Sequence, residues 1–136
     1  TGENVKQHAL GDDVGKYLLE HASPGDLVQP LDTGGAALRG MLQSKVVMVT
    51  PYSTFQDLFH HHEDAVIQKM RDEFMHKLSL NPPRFILDTY TTPDEFCSGG
   101  DFCSFNELNN FVSNNYRVSL ERCDAARCRL RIYERK

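Results

Sequence analysis

The chain has 136 residues, 40% of them hydrophobic and 25% charged, with a net charge of −4. That length and balance describe one globular domain with a core of its own. They exclude a general nucleic-acid binder, which needs a basic surface to neutralise phosphates, and no apolar run approaches the roughly 18–20 residues that cross a bilayer.

Residues 1–11 are polar and read as a flexible tail, with a single α/β domain expected over 12–136. Asp12 or Asp13 can cap a helix whose core face is Val14, Tyr17, Leu18 and His21. Ser23-Pro24-Gly25-Asp26 stops it with turn chemistry. Leu27-Val28-Gln29-Pro30-Leu31 is a first strand that frays at the proline. Thr33-Gly34-Gly35 opens a short helix through Ala36, Ala37, Leu38 and Leu42. Lys45 to Thr50 is the clearest strand; its unbroken apolar run predicts cover on both faces, as in a parallel sheet flanked by helices. Pro51 to His62 is irregular, with aromatic anchors at Tyr52, Phe55 and Phe59.

A long helix from about Glu63 to Ser79 carries Ile67, Met70, Phe74 and Leu78 on one face. Pro82-Pro83 cannot continue it, because each proline lacks an N–H and pushes its predecessor out of the α region. Arg84-Phe85-Ile86-Leu87-Asp88 then starts a strand running to Tyr90. After a loop over Thr91–Cys103, Ser104 and Glu107 have the spacing of a capping box ahead of a helix with Leu108, Phe111 and Val112 inside. Asn114-Asn115 ends that helix. Two alternating strands close the chain, with Leu120 opposite Leu130 and Val118 opposite Ile132. This order predicts a three-layer α/β/α sandwich, Rossmann-like, with a mixed sheet of parallel core strands and a C-terminal antiparallel hairpin.

Cys97, Cys103, Cys123 and Cys128 all lie in the last third. Their spacings fit zinc poorly, and two disulfides in an oxidising compartment are expected ahead of free thiols. Of the three possible connectivities the local one, 97–103 with 123–128, is preferred. The hairpin register above sets Cys123 opposite Arg127, so a 123–128 link requires a bulge.

Val14-Gly15-Lys16-Tyr17-Leu18-Leu19-Glu20-His21 followed by Ser23-Pro24-Gly25-Asp26 resembles the opening of a particular domain type. So do the Asn81–Asp88 junction, Phe111-Val112 through Tyr116-Arg117-Val118, and Ile132-Tyr133-Glu134-Arg135. These segments look like the soluble C-terminal domains of membrane glycosyltransferases similar to the dolichyl-phosphate-mannose–protein mannosyltransferases. The resemblance covers about residues 12–135. It implies an extracytoplasmic accessory domain, on the periplasmic face of a bacterial inner membrane, of an enzyme that transfers sugar from a lipid-linked donor. It implies as partners the membrane-embedded portion of the same chain and a lipid-linked sugar or glycan acceptor, with the catalytic acidic residues in that membrane portion and none here. The start, Thr1-Gly2-Glu3-Asn4, has no initiator Met, which agrees with a fragment of a longer protein.

No catalytic, metal or cofactor site is expected within the chain. His60-His61-His62-Glu63 reads as a solvated helix start, since consecutive side chains diverge and do not converge on one ion. His21 and His76 read as helix-face residues, and Arg127, Arg129 and Arg131 as a solvated hairpin face. Cys97 and Cys103 have no adjacent cation to activate a thiolate. The candidate ligand residues are Asp32, Thr33, Gly34 and Asp88, in a strand-end crevice shared with Thr50, Tyr52 and Tyr90. Backbone N–H groups of the Thr33-Gly34-Gly35 turn suit a phosphate, although the turn lacks G-x-G-x-x-G and the P-loop lysine. A stand-alone nucleotide- or phosphate-binding domain is therefore the alternative to the accessory domain.

Overall fold

A computed structural model describes residues 2–31, 35–50, 64–89, 105–123 and 128–136. The elements in chain order are α1 (Gly2–His21), β1 (Leu27–Pro30), α2 (Gly35–Ser44), β2 (Val47–Met48) and α3 (Ala65–Leu80). They continue with β3 (Phe85–Asp88), α4 (Asn106–Asn115), β4 (Tyr116–Cys123) and β5 (Cys128–Arg135). The five strands form one mixed sheet in the order β2-β1-β3-β5-β4. β1 pairs in parallel with β2 and β3, whereas β5 runs antiparallel to both β3 and β4. The expected α/β class, parallel core and closing hairpin are all present.

Strand residues divide by alternation between two cores. Val28, Phe85, Leu87, Leu130 and Ile132 join Val14, Leu18, Ala37 and Met41 of α1 and α2. Leu31, Ile86, Tyr116 and Tyr133 join Phe74, Leu78, Leu108 and Val112 of α3 and α4. One helix pair thus packs on each set of strand residues. All four residues of β3 are buried, so its apolar run belongs to the middle of the sheet.

The helix-to-strand junctions meet at the amino ends of β1 and β3. Gly25 turns with φ of +87°, a conformation open to glycine. Asp26 accepts from the Ser23 N–H at 2.8 Å and from Arg84 Nη1 at 2.8 Å. The Ser23 N–H and then the Arg84 guanidinium hold its carboxyl below the usual carboxylate value. Arg84 also donates its backbone N–H to Leu27 O at 2.8 Å and accepts from Arg135 N at 2.9 Å. The residue after the two prolines therefore joins the first, central and last strands. Tyr116 completes the junction by donating to Pro83 O at 2.5 Å.

Several expectations are corrected. α1 begins at Gly2, through the segment read as a tail, since Glu3 to Leu10 contains no proline and several good helix formers. His21 is exposed and lies against Tyr17, ring centroids 4.3 Å apart, instead of facing the core. On α2 the inward residues are Ala37, Gly40, Met41 and Ser44, while Leu42 is 81% exposed. The close approach of Gly40 to α1 sets that face. A Cβ there would stand 2.4 Å from Val14 Cγ1 and 2.9 Å from the Gly15 nitrogen. The Val-Val-Met-Val run is a two-residue ladder at the sheet edge, with Val47 half exposed, instead of a strand covered on both faces. Val46 and Met48 reach one core and Val49 the other, which accounts for its apolarity. The N-cap of α4 is Phe105, without a side-chain cap bond. Its buried ring, below Arg71 and beside Phe74, fixes where the helix starts. Ser104 lies outside the described residues.

The hairpin register also differs. Leu120 pairs with Ile132, Val118 with Tyr133 and Cys123 with Cys128, with shifts between Val118 and Leu120 and between Arg122 and Cys123. An extra residue reverses which face the following side chain meets. Val118 is consequently 49% exposed beside Tyr133, whereas Leu120 packs on the α1/α2 core. The displaced Ser119 hydrogen-bonds the Tyr17 hydroxyl through its own. The bulge needed to bring Cys123 and Cys128 opposite one another is present, and Cys123 is disulfide-bonded. Cys97 and Cys103 lie outside the described residues.

Gly40→Ala should destabilise the chain by about 1–3 kcal/mol, because the contacts include backbone that cannot rotate away. A urea melt should show the lower midpoint with an unchanged slope.

Candidate functional site

The three parallel strands end side by side, and polar residues collect where they end. Gln29, Thr50, Asp88 and Thr89 are all buried. Gln29 is fully buried in β1; its Oε1 accepts from the Thr50 N–H at 3.0 Å and its Nε2 donates to Pro30 O at 2.8 Å. That amide continues the ladder between β1 and β2 where their backbone pairing stops. Asp88 closes β3. Among the described residues the hydroxyls of Thr50 and Thr89 have no hydrogen-bond partner. A buried hydroxyl left in this way costs about 1–3 kcal/mol, so two at one end of a sheet call for a reason.

β1 connects through α2 to β2 on one side and has β3 on the other, so the chain diverges at its carboxyl end. In open α/β sheets such a divergence leaves a crevice outside the strand ends. The predicted site residues divide accordingly. Thr50 and Asp88 lie at this end of the sheet as expected, on neighbours flanking β1. Asp32, Thr33, Gly34, Tyr52 and Tyr90, with the His60–Glu63 group, lie outside the described residues. Among the described residues no group of three or more His, Cys, Asp and Glu is placed to hold a metal ion.

Sequence reasoning missed Gln29, Thr89 and Arg71. Gln29 was visible as the single polar residue inside Leu-Val-Gln-Pro-Leu. Arg71 was visible as a charge among the apolar positions of the long helix. It is buried, with its guanidinium carbon 4.4 Å from the centre of the Phe105 ring, and burial holds its pKa below the ordinary arginine value. Thr89 carries no such signal.

A concavity of about 410 Å³ lies between α4 and the hairpin. Tyr116, Tyr133 and Val118 supply its apolar wall and Asn109, Ser113 and Arg131 its polar groups. Burial raises the Tyr116 hydroxyl to a pKa of about 12, so it stays a donor to Pro83 O. Arg131 Nε lies 3.2 Å from Glu121 Oε2. The concavity places no nucleophile beside a base among its named residues, and it offers hydrogen bonds.

No family model, curated protein or solved structure matches this chain.

Gln29→Leu should lower stability by about 2–4 kcal/mol, since it leaves the Thr50 N–H and the Pro30 carbonyl unpaired in the interior. Thermal or chemical unfolding of the variant measures the loss.

Proposed function

We propose that this chain is an extracytoplasmic accessory domain of a membrane-bound glycosyltransferase that transfers sugar from a lipid-linked donor. The catalytic residues would lie in the membrane portion, and this domain would pack against that portion and help to position it. The observation that carries the reading is the Asn81–Asp88 junction. There α3 ends, two prolines intervene, and the next strand enters the middle of the sheet. The other segments of the resemblance are consistent with the same reading. Ser23-Pro24-Gly25-Asp26 is the turn from α1 to β1, Tyr116 opens the hairpin, and Ile132–Arg135 ends the last strand.

One further feature supports it. Cys123 is disulfide-bonded, which suits an oxidising compartment outside the cytoplasm. Cys128, directly across the ladder, is its proposed partner, and Cys97 with Cys103 the second proposed pair. Among the described residues no helix is long and apolar enough to cross a membrane.

Removing residues 12–136 from the full-length protein should leave the membrane portion inserted but reduce sugar transfer at least about tenfold, the rate equivalent of one lost positioning interaction. Transfer assays on membranes with matched protein abundance measure this. Undiminished transfer without the domain, or turnover of lipid-linked sugar by the isolated chain, would refute the reading.

A further inference from the structure

The geometry points to a saccharide-binding site in the concavity between α4 and the hairpin, one that takes a neutral hexose ring. The hairpin has two faces, and they are covered unequally. On the α1 side, Tyr17 hydrogen-bonds Ser119, and Asp13 pairs with Arg122 at 3.7 Å. On the other side α4 packs on the core through Leu108 and Val112 but leaves Val118 49% exposed. The space that remains there is about 410 Å³. Small-ligand sites run from about 300 to 1,000 Å³, so a sugar ring fits.

Two walls define what the concavity accepts. Asn109, Val112, Ser113 and Tyr116 recur at helical spacing, so one stripe of α4 and its cap forms the first wall. Val118 and Tyr133, opposite each other in the ladder, form the second, with Arg131 two residues before Tyr133 on β5. Apolar and polar groups thus share one site. A hexose has the same division, with C–H groups over the faces of its ring and hydroxyls around its edge. Each hydroxyl both donates and accepts, as do the Asn109 amide and the Ser113 hydroxyl, and the Arg131 guanidinium donates. The Val118 side chain and the Tyr133 ring suit a C–H face.

The charges select a neutral ligand. Arg131 is the charged residue of the lining, and its Nε lies 3.2 Å from Glu121 Oε2. In the sheet it stands between two acidic residues, Glu121 on β4 and Asp88 on β3. An anion would meet repulsion from both. A wholly apolar ligand would cover the polar groups of Asn109 and Ser113 without bonding them. The site is argued from the concavity alone and goes beyond the accessory-domain reading, so sugar binding and the loss of transfer on domain removal succeed or fail separately.

NMR titration of the 136-residue chain with the methyl glycosides of glucose, galactose and mannose tests it. At millimolar concentration at least one glycoside should shift the Asn109 side-chain amide, the Ser113 amide and the Val118 methyls. Ser113→Ala should weaken that binding at least about threefold, the worth of one neutral hydrogen bond. The same variant should melt at or above the native temperature, because Ser113 is exposed and alanine is the better helix former. Lost binding is then not lost folding. Leu42→Ser, on the exposed face of α2, should bind as the native chain does. Glucuronate, which adds a carboxylate to glucose, should bind no more tightly than the glucoside. The assignment is overturned if none of the three glycosides shifts those signals, or if glucuronate or inorganic phosphate shifts them instead. A Ser113→Ala chain that binds as tightly as the native one would overturn it too.

Discussion

The Phe85–Asp88 strand takes β1 on one edge and β5 on the other, and all four of its residues are buried. Both cores are built on it, through Phe85 and Leu87 on one face and Ile86 on the other. Such a strand must enter the sheet in one direction and one register, because a slip of one residue would exchange its two faces. Pro82-Pro83 stops α3 before the strand begins, and Arg84 sets the register. Its N–H bonds β1, its carbonyl bonds β5, and its guanidinium pairs with Asp26 in the turn before β1. The two junctions that feed the parallel strands are therefore held together at one end of the sheet.

That arrangement frees the opposite end. Backbone pairing stops at the carboxyl ends of β1, β2 and β3, and side chains take over: the Gln29 amide bridges to Thr50, and among the described residues two hydroxyls are left without partners. Hydrogen bonds through Arg84 and Asp26 tie the amino ends together, and the Thr50 and Thr89 hydroxyls lie past the carboxyl ends. In open α/β sheets the carboxyl ends, where connections diverge, are where ligands bind.

The elements that were legible in the sequence are those whose signal is local. The period of Ile67, Met70, Phe74 and Leu78, the double proline and the short run after it describe α3 and β3 without help from elsewhere. What was not legible depends on distant neighbours. Leu42 reads as core until Gly40 is seen against Val14, and Val118 and Leu120 read as one face until Ser119 is drawn out toward Tyr17. The valine-rich run at 46–49 has the composition of a central strand, yet its position at the edge follows from which strand β1 pairs with next. The candidate site was legible in the same measure. Thr50 and Asp88 follow from where strands end, whereas an unpartnered Thr89 hydroxyl is a property of its surroundings and leaves no mark in the sequence.

The function we propose would make the domain the outward-facing companion of a membrane enzyme. The side of the membrane on which it lies is the most direct test. The measurement is protease sensitivity of the full-length protein in sealed right-side-out spheroplasts, with a tag following Lys136. The account predicts that added protease removes the tag and the domain while cytoplasmic markers survive. A domain that resists until the membrane is permeabilised would lie on the cytoplasmic side and contradict it.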